Sequence, residues 1–100
     1  MDRQSSKSSF LMLYQELIVW RRVSEETAVR YACLTNLATK KISVQSADFY
    51  RLPVTQEQIL LFQAQFVELF CECDPGGRSE SFDSVEEAVA AHERSFGPPV

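Results

Sequence analysis

Residues 10–22 read FLMLYQELIVWRR, and this stretch decides the predicted fold class. From Phe10 to Ile18 its apolar side chains recur at the spacing of one helical face. Ser9 is a candidate N-cap, and two closing arginines place positive charge in the last turn, where the helix dipole favours it. The stretch therefore predicts a first amphipathic helix over residues 10–22.

A second helix is predicted for TAVRYACLTNLATKK, residues 27–41, with Ser24 as its N-cap. The short join to the first helix predicts an antiparallel helical hairpin. Residues 42–54, ISVQSADFYRLPV, are ambiguous, because ISVQ could form a short strand and Pro53 stops a helix. Four side chains of the second helix are expected to face inward: Val29, Ala32, Cys33 and Leu37.

The third helix is predicted over residues 56–72, because Thr55 and Gln58 form a capping-box pattern before an apolar periodic run. The sequence DPGG at residues 74–77 predicts a turn after it. In an alternative layout, LFCEC at residues 69–73 forms a strand that pairs with RSESF across this turn.

A second capping box, Ser84 with Glu87, opens a fourth predicted helix, and Gly97 ends it. The predicted fold class is therefore all-α, a small bundle of about four helices, expected to be dimeric. Residues 1–8 are expected to form a flexible N-terminal segment, residues 9–96 a single helical domain and residues 97–100 a C-terminal tail.

Composition supports one small soluble domain, since the chain has 100 residues of which 45% are hydrophobic. No apolar run reaches the roughly 18 residues of a membrane helix, so no membrane association is expected. The polar start MDRQSSKSSF predicts no secretory signal. Because the three cysteines are an odd number without framework spacing, a reducing, cytoplasmic location is expected.

Charge is unevenly distributed along the chain, and this argues against nucleic acid as a partner. Residues 1–50 carry seven basic and five acidic side chains, whereas residues 51–100 carry three basic and nine acidic ones. An acidic second half repels phosphate backbones. A helix-turn-helix could be placed on residues 24–52, but its second helix would fall on a segment with few helix formers that ends at Pro53.

No catalytic signature or phosphate-binding loop is present, so the chain is not expected to be an enzyme. His92 is the only histidine, and its neighbouring glutamates belong to an ordinary charged helix. Cys71 and Cys73 are separated by one residue rather than by the two typical of zinc ligands, and Cys33 lies far away in sequence. We therefore expect no catalytic residues, no metal site and no cofactor.

The first and third predicted helices are apolar over more than one stripe. The surplus would be buried if both helices were central, or it would form a subunit or partner interface. Aromatic anchors with arginine at the rim are typical of such interfaces. The candidate partner-binding residues are Leu13, Tyr14, Leu17, Trp20, Arg21, Phe62 and Phe66.

The apolar opening SSFLMLYQELIVWRR and the acidic tail FDSVEEAVAAHERSF give the chain a character that resembles small bacterial quorum-sensing anti-activators. That resemblance implies binding to a transcription regulator, so that the regulator's dimer cannot act on DNA, and it assigns no residue a role. The expected function is therefore a non-catalytic, homodimeric protein that blocks a regulator's dimerisation or DNA binding. A DNA-binding repressor and a secretion-type chaperone are the alternatives.

Overall fold

A computed structural model of the chain describes residues 11–97, and it shows a three-stranded antiparallel sheet followed by helices. The strands are β1 (Tyr14–Arg22), β2 (Thr27–Asn36) and β3 (Ile42–Arg51), in the order β1-β2-β3. The helices are α1 (Gln56–Glu72), the single turn α2 (Pro75–Arg78) and α3 (Val85–Phe96). The all-α prediction is therefore wrong, and the fold combines α and β elements.

The first two predicted helices are wrong for an identifiable physical reason. Within residues 10–22, the continuous run from Leu17 to Trp20 is rich in β-branched and aromatic side chains, which favour strands. In β2, the core residues Val29, Tyr31 and Cys33 alternate at the two-residue period of a strand. The helix-turn-helix alternative fails with them, because residues 27–51 form an antiparallel strand pair.

The two later helices are confirmed with their predicted caps. Thr55 accepts a backbone hydrogen bond from Gln58 at the start of α1, and Ser84 accepts one from Glu87 at the start of α3. Gly97 ends α3 in a left-handed conformation with φ 88°. The alternative strand at residues 69–73 is wrong, because α1 runs through it to Glu72.

The single helical domain predicted for residues 9–96 is in fact a sheet and helices. The predicted flexible segment at residues 1–8 lies outside the described residues, and so does most of the predicted tail at residues 97–100.

The main core lies between one face of the sheet and α3, and we call this face the core face. It brings Val29, Tyr31 and Cys33 of β2 together with Ala88 and Val89 of α3. Burial of these side chains joins the sheet to the last helix of the chain.

The opposite face of the sheet, which we call the α1 face, is covered by α1. Tyr50 of β3 packs edge-on against Phe62, with ring centroids 5.3 Å apart. Tyr14 of β1 packs edge-on against Phe70 at 5.8 Å. Helix α1 therefore crosses this face diagonally, from the end of β3 to the start of β1.

Candidate functional site

Strand β1 is an edge strand, and the direction of its backbone groups follows from two hydrogen bonds. The carbonyl of Leu13 accepts from the amide of Leu37, and the amide of Val23 donates to the carbonyl of Thr27, both at 3.0 Å. In an antiparallel ladder every second residue of a strand exchanges such bonds with the residue opposite it on the adjacent strand. The odd-numbered residues of β1 therefore bond to β2, and the amides and carbonyls of the even-numbered residues point away from the sheet.

Apolar side chains lie exposed along this edge. Leu13 and Trp20 are 70% and 58% exposed, and Leu17 and Ile18 are each 37% exposed. We call the outer edge of β1 together with these four side chains the β1 edge surface. Among residues 11–97 no further strand pairs with it.

The other edge of the sheet is covered over the first residues of β3, which makes the contrast with β1 informative. Ile42 of β3 pairs with Phe82 in an isolated β-bridge. Gln45 stands at the irregularity in the β2–β3 register, and its backbone carbonyl accepts a 2.7 Å hydrogen bond from Arg78 of α2. Natural proteins protect sheet edges with bulges and covering loops of this kind. Both devices occur at β3.

Helix α1 is held to the sheet by a narrow stripe, and its remaining surface mixes polar side chains with exposed apolar ones. Phe62 and Phe66 are half-buried on the side that faces the sheet. Leu60, Leu61 and Val67 are more than half exposed. The helix thus presents a second apolar surface beside the β1 edge surface.

At the corner of the α1 face that α1 leaves open, a groove of about 650 Å³ lies between the β1–β2 connection and the start of α1. Trp20 and Tyr50 form an aromatic wall, with ring centroids 5.9 Å apart. Ile59 and Gln63 of α1 line the other side, and Arg22 stands at the strand end.

A buried ion pair lies under this groove and was not identified from the sequence. Arg30 Nη2 lies 2.8 Å from Asp48 Oδ2, and the two side chains are 11% and 10% exposed. The guanidinium also lies 5.9 Å from the centre of the Tyr50 ring. Burial raises the pKa of the Tyr50 hydroxyl. Arg30 lies opposite Asp48 only because β2 and β3 pair as strands. The helical prediction for residues 27–41 therefore could not reveal this ion pair.

A second polar network fixes Arg21 on the core side of β1. Its Nε lies 2.7 Å from a carboxylate oxygen of Glu93, and the Tyr31 hydroxyl donates to the same oxygen at 2.6 Å. Burial and this hydrogen bond raise the pKa of Tyr31 to about 12. Burial alone would raise the pKa of Glu93, but hydrogen bonds from Tyr31 and Arg21 outweigh it and lower that pKa.

The seven predicted partner-binding residues separate into three groups. Leu13, Leu17 and Trp20 lie on the β1 edge surface. Tyr14 and Arg21 also lie in or beside β1, but Tyr14 contacts Phe70 and Arg21 is paired with Glu93. The two α1 residues, Phe62 and Phe66, face the sheet and contribute to packing. Ile18, which the sequence did not single out, joins the exposed set.

The candidate ligating and nucleophilic side chains lie apart. Cys33 is buried, which raises its pKa to about 11, whereas Cys71 and Cys73 are exposed. His92 packs between Tyr31 and Phe96, and burial lowers its pKa. Within residues 11–97 no group of three or more histidine, cysteine, aspartate or glutamate side chains could hold a metal ion. No helix of the described part is long and apolar enough to cross a membrane.

Comparison of the chain with protein-family models, with curated proteins and with solved structures gives no match.

Proposed function

We propose that this protein acts without catalysis by binding another protein through the β1 edge surface. One observation carries the proposal: β1 directs a row of amides and carbonyls outward, beside exposed Leu17, Ile18 and Trp20. An added strand gains main-chain hydrogen bonds from such an edge, and the side chains that alternate along it give selectivity.

The side chains of the β1 edge surface fit the usual anatomy of a protein interface. Trp20 is a large aromatic anchor with an apolar body, of the type that dominates binding energy when it enters a pocket. Glu16 and Arg22 are exposed at the two ends of the strand and suit the polar rim. The bulge and the covering contacts over the first residues of β3 support the assignment of binding to β1.

The proposed partner class is a transcription regulator. The resemblance to quorum-sensing anti-activators suggests this class, and mutual exclusion is a mechanism that needs no cofactor. The regulator would contribute an extended segment or an apolar face that it otherwise uses for its own dimer or for DNA. When the β1 edge surface binds this segment or face, the regulator can no longer form its dimer or bind DNA.

The test is capture of the regulator from nuclease-treated lysate of the source cells with a tagged chain, followed by mass spectrometry. We expect a stoichiometric regulator with the native chain and at least tenfold less with Trp20→Ser. Phe96→Ser is the matched control, because Phe96 is also an exposed aromatic residue but lies at the end of α3. It should capture as the native chain does.

Three results would contradict the proposal or redirect it. If Trp20→Ser and the native chain capture equal amounts of the regulator, the β1 edge surface does not bind it. Capture of one unfolded secretion substrate would favour the chaperone alternative. Binding of duplex DNA with a steep salt dependence would favour the repressor alternative. Circular dichroism of each variant shows whether the fold is retained.

A further inference from the structure

We propose that a second copy of this chain occupies the β1 edge, pairing antiparallel with β1 so that Val19 lies on the two-fold axis and Glu16 lies opposite Arg22 of the other copy. The inference concerns the surface used in the proposed function, so a second copy and a regulator would compete for the β1 edge. The two sheets would then join into one six-stranded sheet, an isologous arrangement in which each copy uses the same residues.

The backbone restricts the registers that a second copy can use. A two-fold axis perpendicular to the sheet keeps the same face of both copies on the same side, so even-numbered residues of β1 must lie opposite even-numbered ones. Only those residues have amides and carbonyls free to bond outward, as the β1–β2 register shows. The registers that pair at least seven residues of β1 have Leu17, Ile18 or Val19 at their centre.

Charge selects among these three centres. With Leu17 at the centre, Glu16 would lie opposite Ile18, and Arg22 would lie outside the ladder. With Val19 at the centre, Glu16 lies opposite Arg22 twice and Ile18 lies opposite Trp20 twice, so that opposite charges and apolar side chains are matched on the α1 face. On the core face Leu17 lies opposite Arg21, whose charge is already paired with Glu93. With Ile18 at the centre, Glu16 would lie opposite Trp20 instead. Directly opposed cross-strand pairs of opposite charge or of apolar side chains are favourable in sheets. Glu16 and Arg22 are exposed in the single chain, and Trp20 is 58% exposed although one part of its ring contacts Tyr50.

Contacts at the start of β1 favour the same register. The Tyr14 ring packs against Phe70, and its hydroxyl lies 3.5 Å from Asp74. A register centred on Val19 pairs residues 16–22 and leaves Tyr14 outside the new ladder. A register centred on Ile18 would bring Arg22 of the second copy against Tyr14.

The proposed dimer also brings the two α1 helices towards each other's sheets. Because Arg22 lies opposite Glu16 of the other copy, the start of that copy's β1 lies just beyond the end of this one, on the side of the groove. The C-terminal end of α1 packs over Tyr14 through Phe70, so this end of the helix lies on the groove side of the other copy. Both α1 helices lie on the same side of the joined sheet.

The first experiment measures self-association of the purified full chain by sedimentation velocity. We expect a dimer for the native chain. Glu16→Arg and Arg22→Glu each place two like-charged pairs in the interface and should weaken association by about tenfold or more. The double variant Glu16→Arg with Arg22→Glu restores opposite charges and should dimerise again. A monomeric native chain, or a dimer indifferent to both single changes, would overturn the proposal.

The second experiment tests the register by disulfide formation in a background with Cys71→Ser and Cys73→Ser. In the proposed register Val19 faces itself at a non-hydrogen-bonded position, where Cα atoms are about 4.5 Å apart and a disulfide can form. Val19→Cys should therefore crosslink under mild oxidation. Ile18→Cys is the matched control, since its two copies would be diagonal neighbours about 7 Å apart. Preferential crosslinking of Ile18→Cys would overturn the Val19-centred register.

Failure of this inference and failure of the proposed function give different results. A chain that stays monomeric but still captures a regulator through Trp20 refutes the dimer and leaves the binding function standing. A dimer that shows the expected charge and crosslinking behaviour but captures no regulator supports the dimer and refutes the function.

Discussion

Arg30 and Asp48 face each other across β2 and β3, with Nη2 and Oδ2 2.8 Å apart and both side chains about nine-tenths buried. The pair lies on the α1 face, where the groove opens above it and Trp20 and Tyr50 form the wall. Most buried charges are paired because removal from water is costly. The pair therefore ties the floor of the groove to the register of the two strands.

Removal of one partner of this pair should strongly destabilise the fold. Asp48→Asn keeps the shape of the side chain but leaves the Arg30 charge buried without a counter-charge, so we expect a loss of about 3 kcal/mol in the free energy of unfolding. Urea unfolding measures it. Glu26→Gln is the control, because the Glu26–Arg51 pair is exposed and 4.0 Å apart; its loss should stay below about 0.5 kcal/mol. Equal losses in the two variants would contradict this account.

Stability should fall in strong alkali because of Tyr31. Its pKa is raised to about 12 from the ordinary value of 10.0, so the folded chain holds this proton more tightly than the unfolded chain does. That contribution is fully present below pH 10.0 and is lost as the pH rises through about 12. Thermal unfolding between these values should show a steeper decline for the native chain than for Tyr31→Phe. Parallel curves would show that Tyr31 does not titrate differently in the folded state.

The three thiols should react at different rates. Cys71 and Cys73 are exposed, whereas Cys33 is buried and burial raises its pKa to about 11. A thiol reagent at pH 8 should therefore modify two cysteines of the folded chain quickly and the third only on unfolding in urea. Peptide mass spectrometry identifies the sites. Fast modification of Cys33 in the native chain would contradict its place in the core between the sheet and α3.

The rings of Trp20 and Phe62 both contact the Tyr50 ring, with centroids 5.9 and 5.3 Å away. Truncation of the two side chains should nevertheless have different effects on stability and binding. Phe62 is half-buried between α1 and the sheet, so Phe62→Ala should cost about 2 kcal/mol of stability. Trp20 is mostly exposed, so Trp20→Ala should cost less than about 1 kcal/mol and act on binding. Chemical unfolding of both variants beside the capture assay separates the two roles. A larger loss of stability from Trp20→Ala would place that side chain in the core instead.

The sequence predicted the second half of the fold well because its signals are local. The caps at Thr55 and Ser84 and the stop at Gly97 depend on residues within one helical turn, and all three lie where the sequence placed them. Such signals hold regardless of what the helix packs against.

The first half was mispredicted because its decisive interactions are not local. Residues 10–22 satisfy the spacing of a helical face, and the alanines of β2 add to helical propensity. The Arg30–Asp48 pair and the packing of Val29 against α3 exist only when distant segments meet as a sheet. Tertiary packing overrides propensity in such cases.

Part of the exposed apolar surface coincides with residues that the sequence singles out. Leu13 and Leu17 lie on the predicted helical stripe and Trp20 is an addition to it, and all three are exposed in or beside β1. The backbone edge could not be predicted, since a helix satisfies its own amides and carbonyls and a strand at an edge does not. Phe62 and Phe66 are half-buried against a sheet that the sequence did not predict.

The central claim is that the backbone edge of β1 binds another protein chain, and a proline at residue 18 tests it most directly. The Ile18 amide points outward, so Ile18→Pro removes a donor from the edge without removing a bond to β2. Ile18→Ala is the control for the lost side chain. We predict that Ile18→Pro abolishes capture of the partner while Ile18→Ala retains most of it, with circular dichroism unchanged in both. Equal capture by the two variants would contradict the claim.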